Sequence, residues 1–424
     1  MNSFFRKFLA ASRRSSRNGL LEATEAVQRA LHSATAAVTG APAPVASTPK
    51  APAPKAPDAN RRASAEGGSA PAWRAAEAAV APAVNRPGSA RFDEGSFSAA
   101  SGSRHYKLYE PAGFDGRTLP LIVMLHGCTQ DPDDFALGTG MNELAALQGA
   151  FVLYPAQPPR SNASKCWNWF VPGDQRRGSG EPAVLAAMTR HVVMSHAIDP
   201  RRVFVAGLSA GGAMAAILAR EYPDLFAAAG VHSGLPPSAA HDVASAFAAM
   251  KSGAPAPPRP LSGLAGQAMV AASPLRTPLA AWPSTLRTPQ AGDAAGRPGS
   301  PAPGAAREAA SGAPLIVFHG DADTTVNPLN AAHVVEAALG TAPWDVTRER
   351  VAAQAGQRGY TRTVYRPEGA STQAPSRAES WLVHEASHAW AGGNSAGRFT
   401  EPDGPDASRE MLRFFSEHAL VPAR

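Results

Sequence analysis

The sequence predicts an α/β fold with a mostly parallel central sheet and helices on both faces. Three apolar runs, 120–125, 203–206 and 314–318, carry this prediction. Strands buried on both faces of a parallel sheet are continuously hydrophobic rather than alternating. A Gly-x-Ser-x-Gly turn at 207–211 then leads from the second run into residues 213–219, which are good helix formers.

The first 92 residues are expected to precede this domain. Residues 1–40 are basic, and the apolar side chains of Leu20, Val27 and Leu31 recur at helical spacing. We therefore predict a short amphipathic helix over 19–38 and hypothesise that it docks on a hydrophobic surface, such as a partner or a polymer inclusion. Residues 41–92 are rich in Ala and Pro and too poor in large apolar side chains to form a core, as in a linker.

Residues 93–424 are predicted to form the catalytic domain. A second stretch rich in Pro, Ala, Gly and Arg, at about 253–312, is interpreted as a low-complexity insertion within it. The formal charge of +6 is modest, and no basic patch is interleaved with aromatic residues, which argues against nucleic-acid binding. No apolar run approaches the ~20 residues that a transmembrane helix needs. The oligomeric state is left open.

The turn at 207–211 has the layout of a nucleophile elbow. Gly207 and Gly211 lack the Cβ atoms that would collide in a sharp turn around Ser209. In the α/β-hydrolase fold such an elbow presents the nucleophile between a strand and a helix. We therefore predict an α/β-hydrolase with Ser209 as nucleophile; the alternative is a tight turn with an exposed serine and no chemistry.

The oxyanion hole of this fold uses two backbone N–H groups, one after the nucleophile and one in the loop after an earlier strand. Ala210 and Cys128 occupy these positions. His126 is an alternative base, although a histidine just before this glycine usually braces the loop. A disulfide between Cys128 and Cys166 would tie this loop to the next segment; two separate core cysteines are the alternative.

The acid and the histidine should follow the serine in that order. The run at 314–318 ends in His-Gly-Asp-Ala-Asp, so Asp321 and Asp323 compete for the acid role. Asp323 is favoured by the spacing His-Gly-x-x-Asp-x-x-Val. An acid there would hold the imidazole in the required tautomer. His319 is interpreted as structural.

Residues 380–393 supply the predicted base, His388, after a last short strand that includes His384. His384-Glu-Ala-Ser-His388 also matches the zinc-protease pattern H-E-x-x-H, which requires a helix. The strand-like residues before it and the glycines at 392 and 393 disfavour a helix. A zinc peptidase built on His384 and His388 is kept only as an alternative.

Four motifs occur in order: Leu-His-Gly-Cys-Thr-Gln, Cys-Trp-Asn-Trp-Phe, Gly-Leu-Ser-Ala-Gly-Gly-Ala-Met and Ser-His-Ala-Trp-Ala-Gly-Gly. With them the chain resembles the polyhydroxybutyrate (PHB) depolymerase family of esterases over about residues 95–235 and 312–420. Related feruloyl and acetylxylan esterases share much of the pattern.

The resemblance implies a serine esterase that needs no metal or other cofactor. By motif, Ser209, Asp323 and His388 would be nucleophile, acid and base, and the amides of Cys128 and Ala210 the oxyanion donors. Trp167 and Trp169 would line the site and contact an apolar ester chain, or else belong to the core. The family resemblance implies an extracellular protein. The N-terminal residues show no recognisable signal peptide, which leaves a cytoplasmic protein as the alternative.

The expected function is hydrolysis of poly- or oligo-hydroxyalkanoate esters, including insoluble polyester, through a covalent acyl-enzyme. Within the same class, a feruloyl, acetylxylan or general short-chain carboxylesterase is the alternative. Outside it, the alternatives are the zinc peptidase and a non-catalytic binding protein on a hydrolase scaffold.

Overall fold

The computed structural model describes residues 89–113, 116–255 and 312–420. Its strands form a ten-stranded sheet and a separate two-stranded sheet. The strands are β1 (Arg91–Ala99), β2 (Gly102–Glu110), β3 (Leu119–Leu125), β4 (Phe151–Pro155), β5 (Ile198–Leu208), β6 (Ala228–His232), β7 (Leu315–Gly320), β8 (Trp344–Val351), β9 (Tyr360–Pro367), β10 (Ala378–Val383), β11 (Trp390–Ala391) and β12 (Thr400–Glu401).

The large sheet has the order β1-β2-β4-β3-β5-β6-β7-β10-β9-β8. Its six central strands, from β4 to β10, are parallel to one another. The outer strands on both sides pair antiparallel. Because parallel strands all end at the same edge, the loops after β3, β5, β7 and β10 meet there.

Helices cover the two faces of the sheet. In the described residues they are α1 (Pro132–Thr139), α2 (Met141–Gln148), α3 (Gly180–Ser195), α4 (Ala210–Glu221), α5 (Val243–Ser252), α6 (Leu329–Leu339) and α7 (Ala407–Ser416). A 3₁₀ turn at Pro172–Asp174 precedes α3.

Two hydrophobic cores lie on opposite faces of the sheet. Alternate residues of β3 point to each, with Leu121 and Val123 in one core and Ile122 and Met124 in the other. The first core includes α4, and the second includes α7, whose Phe415 stacks on a β5 ring with centroids 4.8 Å apart. Both faces of the central strands are therefore buried, as their continuous apolar sequences require.

The elbow after β5 packs too closely against β3 to admit a side chain. A Cβ atom at Gly211 would lie 2.7 Å from the carbonyl oxygen of His126 and closer still to that of Leu125. Glycine at this position therefore allows α4 to begin directly against the sheet.

This topology confirms the predicted fold class, an α/β-hydrolase with a mostly parallel sheet, helices on both faces and a nucleophile elbow. The predicted amphipathic helix over 19–38, the linker and most of the stretch at 253–312 lie outside the described residues. No helix within the described ranges is long and apolar enough to span a membrane.

Candidate active site

Ser209 lies between β5 and α4 in a backbone conformation that few side chains adopt. Its φ is 57° and its ψ is −118°, which is unfavourable for a residue with a Cβ atom. The Ser209 N–H donates to the carbonyl oxygen of His232 at 2.9 Å, which fixes the turn to β6. The sharp reversal places the Ser209 side chain on a cleft rather than in the sheet.

Cys128 and Ala210, the two residues predicted to donate to an oxyanion, line the same cleft as Ser209. The backbone N–H of neither residue donates a hydrogen bond to another described residue. Ala210 is the first residue of α4, so its N–H is one of the helix-terminal donors that have no partner within the helix.

Asp323 lies in the loop after β7 and is buried. Its Oδ1 accepts from the backbone N–H groups of Thr325 at 2.8 Å and Val326 at 2.9 Å. Its Oδ2 lies 2.7 Å from His388 Nδ1. Burial alone would raise the pKa of Asp323, but His388 and His319 outweigh this effect and hold the pKa well below its usual range. Asp323 is therefore ionised and orients the His388 ring.

His319 supports Asp323 from within the core. Its Nε2 lies 2.8 Å from the Val326 carbonyl oxygen and 3.3 Å from Asp323 Oδ2. Because a carbonyl can only accept, Nε2 carries a proton that is shared between these two oxygens. The position fits the structural role expected for His319.

His388 follows β10, and the chain ends of β5, β7 and β10 bring it to the same edge of the sheet as Ser209. Only about an eighth of its side chain is exposed. The Ser209 hydroxyl makes no hydrogen bond with any described residue, His388 included. Catalytic hydrogen bonds are often long before substrate binds and tighten in the complex. The structure thus pairs His388 with Asp323 and places Ser209 separately on the cleft.

His384, the first histidine of the H-E-x-x-H pattern, pairs with a different carboxylate from His388. His384 follows β10 directly, and its Nδ1 lies 2.8 Å from Asp321 Oδ2. The other ring nitrogen lies 3.0 Å from the Thr361 hydroxyl. Residues 384–388 form a turn rather than a helix, so His384 and His388 contact different carboxylates. Their geometry differs from the helical arrangement that the zinc-protease pattern requires.

The loop after β3 is braced by a buried histidine and an indole. His126 Nδ1 donates to the Gly127 carbonyl oxygen at 2.8 Å, and its Nε2 accepts from the Gln157 N–H at 3.2 Å. Burial lowers the pKa of His126 to about 4, so the ring is neutral near pH 7. Both ring nitrogens are occupied, which agrees with a bracing role rather than that of a base.

The two tryptophans have different environments. Trp169 lines the cleft together with Phe170. Trp167 differs from the substrate-contact expectation, because it is 0% exposed and its indole N–H donates to the His126 carbonyl oxygen at 3.0 Å. This donor has its partner inside the protein, as buried indoles usually do. Trp167 is a core residue that supports the loop after β3.

Cys128 and Cys166 are joined by a disulfide in the structure. It connects the loop after β3 to the loop that carries Trp169. The cleft wall and the Cys128 amide are thereby covalently linked.

A buried polar network beneath these loops was not found from the sequence. Its centre is Glu181, near the start of α3, which receives hydrogen bonds from Arg104, Gln157 and Asn168. Glu181 lies in a helix-compatible segment, where a charged residue is normally assigned to the solvent face. Only Asn168, within Cys-Trp-Asn-Trp-Phe, is part of a motif that sequence analysis selected.

The cleft is mainly apolar and has an empty volume of about 560 Å³, part of it open to solvent. Its wall includes Val243, Phe247 and Met250 from α5. Asn162 also lines it, but its side-chain oxygen and nitrogen are used within the protein. The Ser209 hydroxyl and the backbone N–H groups of Cys128 and Ala210 are polar groups on lining residues that make no hydrogen bond with another described residue. This arrangement suits an apolar substrate with one polarised carbonyl.

Comparison with known proteins finds similarity to esterases. Residues 104–272 match the family described as Esterase PHB depolymerase. Poly(3-hydroxyalkanoate) depolymerase C of Paucimonas lemoignei is 32% identical over 240 residues, which are 57% of this chain and 49% of that protein. Feruloyl esterase B of Thermothelomyces thermophilus is 34% identical over 129 residues, 30% of this chain and 43% of that protein.

The chain therefore spans about half the length, or less, of these curated relatives. Among solved structures, an acetyl xylan esterase from Aspergillus awamori aligns with a TM-score of 0.49 and 17% identity, over 77% of this chain and 99% of that one.

Proposed function

We propose that this protein is a serine esterase acting on hydroxyalkanoate esters, polymeric or oligomeric, since residues 104–272 match the family described as Esterase PHB depolymerase. One observation carries the proposal. Ser209, Cys128 and Ala210 line one apolar cleft, at the sheet edge that also carries the Asp323–His388 pair.

In the first half of the reaction, the Ser209 oxygen attacks the ester carbonyl carbon while His388 Nε2 takes the hydroxyl proton. The carbonyl oxygen becomes negatively charged and accepts from the amides of Cys128 and Ala210. The ionised Asp323 holds the His388 Nδ1 proton and stabilises the imidazolium. The C–O bond to the alcohol then breaks, and His388 returns its proton to the leaving oxygen.

In the second half, water attacks the acyl-enzyme carbonyl while His388 takes one of its protons. The same two amides stabilise the second oxyanion. The bond to Ser209 breaks, the serine oxygen regains a proton from His388, and the free acid leaves.

The apolar lining of the cleft suits an aliphatic ester better than a sugar ester. A sugar hydroxyl placed among Phe170, Val243 and Met250 would lose its water partners without gaining a side-chain partner from these three residues. An aliphatic hydroxyalkanoate chain places no such hydroxyl there, except at a chain end. Because some relatives are named as feruloyl and acetylxylan esterases, feruloyl and acetylxylan esters should be assayed beside the hydroxyalkanoate esters.

The test is turbidity loss of an amorphous PHB suspension with the wild-type protein and with Ser209→Ala, with a soluble butyrate ester measured in parallel. Clearing by the wild type alone supports a serine-dependent depolymerase. Hydrolysis of the soluble ester without clearing would move the substrate to small esters. A methyl ferulate and an acetylated xylan assay on the same samples decide between the remaining esters.

Two alternatives of other classes are separated by labelling. A fluorophosphonate should modify the wild-type protein and not Ser209→Ala, because it reacts with an activated serine. A binding protein on this scaffold would not be labelled. A zinc peptidase would ignore the reagent and lose activity to a chelator.

A further inference from the structure

Four hydrogen-bond donors face the buried carboxylate of Glu181. Glu181 is 5% exposed. Its Oε1 accepts from Arg104 Nη2 at 3.2 Å, from Asn168 Nδ2 at 3.0 Å and from Gln157 Nε2. Its Oε2 accepts from the Asn168 backbone N–H at 2.8 Å. A carboxylate satisfies all four donors, whereas a side-chain amide would turn its own N–H groups towards some of them.

Gln157 connects this carboxylate to the loop that carries Cys128. The Gln157 side chain also donates to the Cys166 carbonyl oxygen at 2.9 Å, and its backbone N–H donates to His126 Nε2 at 3.2 Å. Cys166 is in turn bonded to Cys128 through the disulfide. Gln157 therefore holds both neighbours of Gly127: it contacts His126 directly, and it contacts Cys128 through the disulfide partner Cys166.

Asn168 provides the second connection. Its side-chain oxygen accepts from Asn162 at 2.9 Å, and the Asn162 oxygen accepts from the backbone N–H groups of Ser164 at 3.0 Å and Cys166 at 3.3 Å. The Ser164 carbonyl oxygen accepts from the Thr129 N–H at 2.7 Å. Thr129 follows Cys128, so the network fixes the loop after Cys128 as well as before it.

We propose that Glu181 is a positioning residue for the oxyanion site: its ionised carboxylate holds Gln157 and Asn168, and these hold the loop that aims the Cys128 N–H into the cleft. The inference rests on the proposed esterase function. Glu181 contacts neither Ser209 nor a substrate, so its effect on the reaction passes through Cys128. Such a residue affects the transition state, where the oxyanion forms, more than the binding of the neutral ester.

The charges that face Glu181 make this role depend on pH. Burial and the nearby carboxylate of Asp174 raise the pKa of Glu181 to about 7, while Arg104 and the amide donors oppose the rise. His126, beyond Gln157, stays neutral because burial lowers its pKa to about 4. Protonated Glu181 would direct a hydroxyl towards one of its donors. The loop should therefore loosen as the pH falls through about 7.

Glu181→Gln tests the role, with Glu379→Gln as the matched control. Glu379 is also buried and receives Arg362 and Arg413, but it lies outside the network around Cys128. With a soluble butyrate ester at pH 8, we expect Glu181→Gln to lower kcat by about tenfold or more with KM within about twofold, since losing a whole oxyanion donor costs about 10²–10³. Glu379→Gln should lower the melting temperature and keep kcat within about twofold.

A second measurement uses the wild type alone and covers a variant that does not fold. Because the role requires an ionised Glu181, wild-type kcat should show an additional acid-side step of about tenfold centred near pH 7, on top of the fall that any general base gives. A folded Glu181→Gln variant should lack this step. A wild-type profile without the step would overturn the proposal.

Three further results would also overturn it: wild-type kcat in folded Glu181→Gln, an equal loss of kcat in Glu379→Gln, or a loss of kcat/KM carried by KM. Ser209→Ala is measured beside these variants. If it stays active, the proposed function fails; if it is inactive while Glu181→Gln keeps full kcat, only the role of Glu181 fails.

Discussion

The two oxygens of Asp323 have separate tasks, and this separation decides what a single substitution there would do. One oxygen accepts two backbone N–H groups and fixes the loop after β7. The other faces His388 Nδ1 and, more distantly, His319 Nε2. The carboxylate is thus held by the loop and left to act on His388.

Replacing Asp323 by Asn should lower kcat by about 10³–10⁴-fold. The amide oxygen would keep the two backbone donors, so the NH₂ group would face His388 Nδ1. Nδ1 would then have to accept a hydrogen bond, and the ring proton would move to Nε2. A protonated Nε2 cannot take the proton of Ser209. Steady-state kinetics on a soluble ester measures the loss.

Asp321→Asn is the matched control, because it makes the same change two residues away on the pair with His384. We expect it to keep kcat within about tenfold of the wild type. Equal losses in the two variants would contradict the assignment of Asp323 as the acid.

Stability and pH are linked through Glu181. Its pKa rises from an ordinary 4.5 to about 7 in the folded protein. The folded state therefore binds more protons than the unfolded state between these values. Burial and the Asp174 carboxylate cause this rise and outweigh the hydrogen bonds, so the free energy of unfolding should fall by about 3 kcal/mol as the pH rises from 4.5 to 7, even though the ionised form completes the hydrogen bonds of the loop. Glu181→Gln should remove this slope, as measured by urea unfolding at several pH values; an unchanged slope would assign it to other groups.

At the scale of elements, the loops after β3 and before α3 are held together by the disulfide. The bond closes a loop with a sequence separation of 38 residues. Closing a loop of that size stabilises a protein by about 4 kcal/mol in the chain-entropy account. It also anchors the Cys128 amide beside Ser209.

Reduction of this bond should therefore lower both stability and kcat, with KM little changed. The double variant Cys128→Ser/Cys166→Ser keeps both backbone amides and should show the same effect. The chain has only these two cysteines, so thiol titration reports the state of the bond directly. A reduced protein with wild-type kcat would show that the loop does not need this anchor.

The loops after β7 and β10 are held together by the Asp321–His384 pair and by backbone bonds. The Asp321 and Ala322 N–H groups donate to the carbonyl oxygens of Val383 and Ala386 at 3.0 and 3.1 Å. The pair thus helps to hold together the loops that carry Asp323 and His388.

His384→Ala should retain at least about a tenth of wild-type kcat, since neighbouring backbone bonds remain. His388→Ala should fall to background. Incubation with a chelator should leave the wild type unchanged. Equal losses in the two histidine variants, with inactivation by the chelator, would instead favour the zinc alternative.

At the scale of the whole molecule, sequence reasoning reached the fold class because the strands that form the centre of the sheet are continuously apolar. The Gly-x-Ser-x-Gly turn also has few structural solutions between a strand and a helix. Chain order and the need for loops at one sheet edge led to the prediction of Asp323 and His388, whose side chains lie 2.7 Å apart in the structure.

The features that sequence reasoning missed depend on contacts between distant segments. Glu181 accepts a hydrogen bond from Arg104, which lies 77 positions earlier in the chain. Nothing in the local sequence around either residue indicates that it is buried. Trp167 and Trp169 are two residues apart and lie on different sides of one loop, so their motif alone could not separate the core residue from the cleft residue.

The candidate site draws on two stretches of chain. Ser209 and the oxyanion amides come from residues 116–255, whereas Asp323 and His388 come from residues 312–420. In the sheet, β7 and β10 from the second stretch continue the parallel order directly from β6 of the first.

The chain could therefore work as a split enzyme. Fragments 1–283 and 284–424 each lack part of the proposed catalytic set, so neither should hydrolyse a butyrate ester alone. Co-expressed, they should restore hydrolysis only when β7 pairs with β6, and a first fragment carrying Ser209→Ala should stay silent. Activity from either fragment alone would contradict this division. The rate of ester hydrolysis would then measure how much of the two fragments has associated. Fused to two other proteins, the fragments would report whether those proteins bind each other.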